Sequence, residues 1–246
     1  MRKEYKEMIL TDDLALARKE KAAGNYVVLC YPLITQKLPS PGEFQYAIED
    51  VWELDGLEEG KCAYLDRILC RMKGLPCHIL DTPHFRVREI TTDDLDALYE
   101  IYAQPGITDY IEDLFENKED EIAYTQQYIR YQYGFYDFGM WIVEDARTGE
   151  IVGRAGFDMR EGFEIPELGY MLRTEYQHQG YAYEICSHLI SYGREELAFE
   201  AVGALTDAGN TASVRLLERL GFVFDRKVKQ EKDGFAARML DYYVAV

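Results

Sequence analysis

The sequence predicts an α/β protein in two parts, and three observations carry that reading. Apolar runs of strand length alternate with amphipathic stretches along the chain. A break rich in proline and glycine, from Gly74-Leu75-Pro76 to Asp81-Thr82-Pro83, separates a segment of residues 1–80 from one of residues 84–246. Hydrophobic residues make up 48% of the 246, enough for a packed core in one large domain or two smaller ones.

Within the first segment, Met8-Ile9-Leu10 is a short apolar run of buried-strand type. Thr11-Asp12-Asp13 then precedes an alanine-rich amphipathic helix ending near Gly24, with Asp12 and Asp13 as its caps. Tyr26 to Cys30 reads as a strand, Pro32 to Pro41 as a loop and Tyr46-Ala47-Ile48 as a third strand. Tyr64 to Met72 has the apolar spacing of a helix. Beyond the break, His84 to Glu89 alternates like a strand, and Thr92 followed by Leu95, Leu98, Ile101 and Tyr102 predicts a capped helix. Glu119 to Tyr136 predicts a second. Met140 to Val143 and Ile151 to Phe157 flank Thr148-Gly149, the composition of a hairpin turn, and so form an antiparallel pair. Glu167 to Arg173 is the next strand, followed by a helix from Gly180 to about Phe199, a strand from Val202 to Thr206 and a helix from Ala212 to Leu220. Strands from Phe222 to Lys229 and Phe235 to Tyr243 close the chain.

The charge balance, 45 acidic against 27 basic side chains for a net −18, argues against a nucleic-acid surface, which needs a basic stripe. The excess carboxylate is read as a solubilising surface. Five cysteines, with no Cys-x-x-Cys pair and no histidine at ligand spacing, argue against a disulfide framework and a metal site. Met1 to Ile9 lacks the apolar core of a signal peptide, and no apolar run approaches membrane-spanning length. The expected setting is cytoplasmic and reducing, with no membrane partner.

Gln177-His178-Gln179-Gly180-Tyr181-Ala182 follows a strand and opens a helix. The first amide N–H groups of a helix lack intrahelical partners, and together with the helix dipole they suit a pyrophosphate. Gly180 and Ala182 let a phosphate approach the main chain. A second segment, Asn210 to Phe222, places a polar residue at a helix start and Gly221 just past its end. Together these segments resemble the GNAT superfamily of acyl-CoA-dependent N-acyltransferases. Its signature is Gln/Arg-x-x-Gly-x-Gly/Ala, then Asn-x-x-Ser/Ala and a closing Gly-Phe. The resemblance covers His84 to Val246. Glu167 to Leu172 with Gly180 to Glu184 is most similar to the branch containing the ribosomal-protein N-terminal acetyltransferases, a branch that includes enzymes with other amine substrates.

The resemblance implies a mixed, mostly antiparallel sheet flanked by helices, acetyl-CoA as cosubstrate and a primary amine as acceptor, and it admits a homodimer. It makes Glu167 the general base. Main-chain groups of Met171 and Leu172 would meet the pantetheine and the thioester carbonyl. Backbone amides of Gln177, His178, Gln179, Gly180, Tyr181 and Ala182 would hold the pyrophosphate. Asn210 would hydrogen-bond the pantetheine arm, and Ser213 would face the cofactor one turn later. At Leu217 many members carry a tyrosine that protonates the leaving thiolate, so the acid is unassigned here.

The chemistry asks for a base, because a lysine-like amine of pKa about 10.4 is protonated at neutral pH, whereas an α-amine near 8 is more readily used. By strand alternation Glu167, Gly169 and Met171 share one face, and Leu168, Tyr170 and Leu172 the other, unless a bulge shifts the count. Glu167 also reads as a solvated strand-end carboxylate, with Glu164 its nearest rival. His178 is read as a surface residue without a proton-transfer role. Tyr110, Glu112, Asp113, Asp158 and Glu161 form an acidic and aromatic set suited to a cationic amine, each equally readable as a solvated loop charge. Cys186 reads as a core residue rather than a nucleophile, so the amine is expected to attack directly in a ternary complex. The alternative, motivated by Leu217, is a CoA-binding module with weak chemistry.

In the first segment, Ile9-Leu10-Thr11-Asp12-Asp13 with Ala22-Ala23-Gly24 and Ile48-Glu49-Asp50 resembles the C-terminal part of a haloacid-dehalogenase-like hydrolase domain, in which the acidic pair helps hold magnesium. That family's nucleophilic aspartate and phosphate-binding lysine have no counterpart. The expectation is a truncated Rossmann-like accessory module.

Overall fold

Hydrophobic alternation builds two sheets in the computed structural model, which describes residues 2–31, 40, 42–49, 59–230 and 238–246. The chain divides into compact units, Met1–Cys77 and His78–Val246. The division falls inside the proline- and glycine-containing break of residues 74–83, and His78–Asp81 belongs to the second unit as a strand that pairs with Phe85–Arg88 across the turn.

The first unit holds a four-stranded sheet in the order β1 (Arg2–Tyr5), β2 (Met8–Thr11), β3 (Tyr26–Tyr31) and β4 (Ala47–Glu49). The charged β1, not expected from the sequence, pairs with β2 as an antiparallel hairpin, whereas β2, β3 and β4 run parallel. Both faces of β2 and β3 are apolar, as a parallel sheet covered on both sides requires. Met8, Leu10, Val28 and Cys30 pack on Leu65, Ile68 and Leu69 of α2 (Glu59–Met72), while Ile9, Val27 and Leu29 pack with Ala17 of α1 (Leu14–Ala22). Asp13 caps α1, accepting the N–H groups of Ala15 and Leu16. Most of the expected Pro32–Pro41 loop, and Asp50, lie outside the described residues.

The second unit holds an eight-stranded mixed sheet. Its order is β11 (Val223–Gln230), β12 (Arg238–Ala245), β10 (Val202–Thr206), β9 (Glu167–Leu172), β8 (Ile151–Asp158), β7 (Met140–Asp145), β6 (Phe85–Arg88) and β5 (His78–Asp81). Every neighbouring pair is antiparallel except β9 with β10. The strand expected from Phe235 begins at Arg238 in the described residues. Helices α3 (Leu95–Tyr102) and α4 (Lys118–Tyr128) cover one face, and α6 (Tyr181–Glu195) and α7 (Thr211–Arg219) the other. α6 stops before Phe199, where Ala198 at φ 54° turns the chain and the Phe199 N–H donates to the Gly193 carbonyl. Gly193 has room for no Cβ, which would lie 2.8 Å from the Phe199 ring.

The expected helix from Glu119 to Tyr136 is interrupted. After α4 the backbone widens to a π-helix over Ile129–Tyr133 before α5 (Gly134–Tyr136), and Asp137 ends it at φ 63°. Regular helical spacing would set residues 128 and 133 about 140° apart. The π turn brings Tyr128 and Tyr133 to one side, ring centroids 5.4 Å apart. Their hydroxyls bracket Met140: its N–H donates to Tyr128 Oη at 2.7 Å and its carbonyl accepts from Tyr133 Oη at 2.6 Å.

Arg88 on β6 pins the start of α3 to the sheet. Its guanidinium binds Asp94 through both terminal nitrogens, at 2.7 and 2.8 Å, and Glu144 through Nε at 2.7 Å. Burial works against the Asp94 charge, but Arg88 and the Thr91 backbone outweigh it and hold the carboxyl below its ordinary range. Asp94→Asn leaves Arg88 partly unpaired in the interior and is expected to cost about 3 kcal/mol. The Asp94 contribution is present above its unfolded pKa of about 3.9 and is lost as pH falls through the lower folded value. Chemical denaturation of both proteins at pH 7 and pH 3 measures it, with the gap narrower at pH 3 than at pH 7; a gap independent of pH would remove Arg88–Asp94 from the account.

Candidate active site

The site forms where the sheet comes apart. β9 pairs with β8 along its whole length without a register shift, Asp158 opposite Glu167 through Gly153 opposite Leu172. On its other side it meets β10 at a single register position, Gly203 opposite Glu167, where the Gly203 N–H donates to the Pro166 carbonyl at 2.8 Å. Beyond that point the parallel strands diverge, leaving an edge of β9 from Gly169 to Met171 facing a wedge instead of a strand. Unpaired main-chain polar groups of this kind are costly when enclosed, so the wedge suits an extended ligand that carries its own amides.

At the wide end of the wedge sits the turn into α6. His178 and Gly180 both have positive φ, 60° and 84°, and no side chain caps α6. The first-turn N–H groups are therefore free for an anion. The Gln177 side chain is spent on structure, its Nε2 donating to the Leu172 carbonyl at 2.9 Å, and Gln179 Nε2 donates to the Glu175 carbonyl. His178 is exposed, as a surface role requires. Three contacts fix this end of α6. Tyr181 packs edge-on against Phe85, Tyr183 lies 3.9 Å from the Arg219 guanidinium of α7, and Glu184 accepts from Thr82 Oγ1 at 2.6 Å and from the His84 N–H at 3.0 Å. His84 Nδ1 lies 2.8 Å from the other Glu184 oxygen. Burial raises the Glu184 carboxyl, but these hydrogen bonds prevail and hold it below its usual range.

On the α7 side, Asn210 caps the helix, its Oδ1 accepting the Ser213 N–H at 3.1 Å. Ser213 Oγ accepts the Tyr170 hydroxyl at 2.9 Å, which brings β9 and α7 together across the sheet face opposite Glu167. Burial pushes the Tyr170 phenol well up and keeps it protonated. Leu217 is buried one turn beyond Ser213, and Cys186 is fully buried, its thiol pushed far up by desolvation. Neither supplies a nucleophile or an acid.

Glu167 lies at the closed end of the wedge. Burial raises its carboxyl above the ordinary carboxylate range, against the opposing charge of Arg160. Arg160 holds it bidentately, Nε to Oε2 at 2.5 Å and Nη2 to Oε1 at 3.2 Å. Asp158, opposite Glu167 on the same face, is likewise raised by burial. The rival Glu164 is exposed, and so is Glu161. Glu112 stands within electrostatic range of Arg160, and Tyr110 reaches over to the loop before α7, donating to the Gly209 carbonyl at 3.2 Å. Asp113 accepts the N–H of the adjacent Leu114. Sequence reasoning missed Arg160 and Arg154. The signal for Arg154 was present, a cation inside the otherwise apolar run Ile151 to Phe157.

Comparison with known proteins bears on this geometry. Residues 84–223 match the family model of the acetyltransferase (GNAT) domain. Among curated proteins, the uncharacterized N-acetyltransferase YoaA of Bacillus subtilis is 30% identical over 155 residues, spanning 62% of this chain and 86% of that protein. Among solved structures, a GNAT-family acetyltransferase from Bacillus anthracis superposes with a TM-score of 0.58 at 22% identity, covering 69% of this chain and 98% of that one. RimL, a ribosomal L7/L12 α-N-protein acetyltransferase solved in complex with coenzyme A, superposes with a TM-score of 0.58 at 16% identity, covering 69% and 98%.

Proposed function

Since the chain belongs to the GNAT acetyltransferase family and uses acetyl-CoA as acetyl donor, we propose that Glu167 is its general base and that the acetyl group passes directly to a primary amine. The observation that carries this reading is a desolvated carboxylate at the closed end of the β9/β10 wedge. In the proposed arrangement the β9 edge at Met171 and Leu172 and the cap at Asn210 flank the pantetheine, Ser213 faces it, and the amides of residues 177–182 take the pyrophosphate. The amine nitrogen attacks the thioester carbonyl, the C–N bond forms, its proton passes to Glu167, and the C–S bond breaks with the electron pair leaving on sulfur. A main-chain N–H aimed at the oxyanion contributes a few kcal/mol without reorganising.

Acetyl-CoA-dependent CoA release with a panel of primary amines tests the reading, and turnover of at least one is the expected result. A second reading, a CoA-binding module, draws on the buried Leu217 and on the Arg160 grip on Glu167. Tight acetyl-CoA binding without turnover of any amine would favour it.

The Arg160 pair makes a separate prediction. Activity requires ionised Glu167 and falls as pH drops through its pKa. Burial raises that pKa and Arg160 opposes the rise, so Arg160→Met is expected to move the acid limb of kcat/KM to higher pH. An unmoved limb would mean that another group sets it.

For the first unit the proposal is an accessory module. Asp13, one of the acidic pair, caps α1 through the N–H groups of Ala15 and Leu16, a structural role that suits such a module.

A further inference from the structure

Arg154 sets a cation in the middle of the otherwise apolar run Ile151 to Phe157 of β8. In the β8/β9 ladder it lies opposite Met171, so its side chain leaves the sheet on the face shared by Glu167, Gly169 and Met171. Its Nε has no exposed surface and no hydrogen-bond partner. Among the described residues no carboxylate forms an ion pair with it; burial works against its charge, and the groups that favour the charge are the phenols of Tyr102, which also hydrogen-bonds to it, Tyr128 and Tyr133. Phenols offer dipoles but no countercharge. An enclosed guanidinium without an anion costs several kcal/mol, and one orphaned N–H adds to it. The residue as a whole keeps some exposure, so a small molecule can reach it.

The same face carries the complementary charge. Asp158 lies four residues along β8, about 13 Å by strand rise, opposite Glu167. It too forms no ion pair among the described residues. Gly156 stands between Arg154 and Asp158, so no side chain on β8 separates them. Among the described residues, one sheet face thus presents a cation with no carboxylate partner at one end and, at the other, a carboxylate with no cation partner beside the candidate base.

We propose that the acceptor is an amine that also bears a carboxylate, with the Arg154 guanidinium pairing with the carboxylate while Asp158 and Glu167 receive the amine. A guanidinium edge matches a carboxylate with two parallel hydrogen bonds, and a carboxamide forfeits that pairing and the charge. The inference rests on the acetyl-transfer reading with Glu167 as base, and it makes the substrate class a small amino acid rather than a chain terminus or a diamine.

The test uses matched acceptors, α-, β- and γ-amino acids beside their carboxamides, assayed by acetyl-CoA-dependent CoA release with the full-length protein, Arg154→Met and Arg154→Lys. The parent is expected to favour the acid of the best pair by about tenfold or more in kcat/KM. Arg154→Met is expected to erase that preference, losing at least tenfold more on the acid than on the amide, and Arg154→Lys to keep part of it. Turnover without a preference in the parent, or equal losses on acid and amide in both variants, overturns the inference and leaves the acetyltransferase reading standing. Acetyl-CoA binding with no amine acetylated overturns both.

Discussion

Glu167→Gln is expected to lower kcat by roughly 10²–10⁴-fold, the ordinary worth of a positioned base. Acetyl-CoA affinity is expected to stay within about twofold, because the proposed donor contacts come from main chain and helix termini that the substitution leaves in place. Thermal stability is expected to hold or rise slightly. The reason is the sign of the pKa shift: a carboxyl raised on folding is stabilising only when protonated, so the ionised form at pH 7 counts against the fold. Glutamine removes that burden, and Arg160, partly exposed, turns its guanidinium to water. Steady-state kinetics, calorimetric titration of acetyl-CoA and a melting curve on one preparation check all three. A variant retaining more than a tenth of the parent kcat would show that the proton leaves by another route.

Gly153→Ala is expected to damage both stability and donor binding, through contact rather than chemistry. A Cβ on residue 153 would lie 2.0 Å from the Met171 carbonyl oxygen and 2.9 Å from the Leu172 Cα, and both are backbone atoms. No side-chain rotation relieves this, so β9 must move away from β8 at the residues proposed to flank the pantetheine. Overpacking of this sort costs about 1–3 kcal/mol, occasionally more. For a unit of this size that is a fall in Tm of roughly 2–4 °C per kcal/mol. The KM for acetyl-CoA is expected to rise about tenfold, since a 1 Å displacement in a positioned strand is felt directly in binding. Gly149→Ala, at a turn with φ 74° where a Cβ meets nothing within 4 Å, adds backbone strain without contact to β9 and so is expected to lower stability without raising the KM for acetyl-CoA. An equal change in the KM for acetyl-CoA in the two variants would dismiss the strand-displacement argument.

How much of this was legible in the sequence follows from which forces are local. Strand alternation gave the face of Glu167 correctly, because the ladder from Asp158 to Gly153 runs without a bulge. Asn210 and Gly180 were readable because caps and positive-φ positions are set within a few residues. The π turn was not, since Tyr128 and Tyr133 are drawn to one side by Met140, which is remote from the helix period. β1 and β5 were missed for a related reason. Their residues are charged or mixed, and only hydrogen bonding to an apolar neighbour makes them strands. The Arg160–Glu167 pair depends on a loop folding back over seven residues, which no periodicity encodes. The sequence also suggested the ligand of the α6 turn without indicating that Glu184, Thr82 and His84 hold that turn in place.

The single register pair between β9 and β10 reaches further than the placement of a ligand. A sheet that stops bonding at its centre is two half-sheets sharing a hinge, and the proposed donor, lying in the gap with amides of its own, stands in for the missing rungs. Occupancy and folding are then linked quantities. A ligand bound only by the folded form adds about 2.7 kcal/mol at a hundredfold excess over its Kd. The lifetime of the protein against unfolding and proteolysis would rise and fall with the acetyl-CoA pool, making metabolic supply a determinant of abundance as well as of rate.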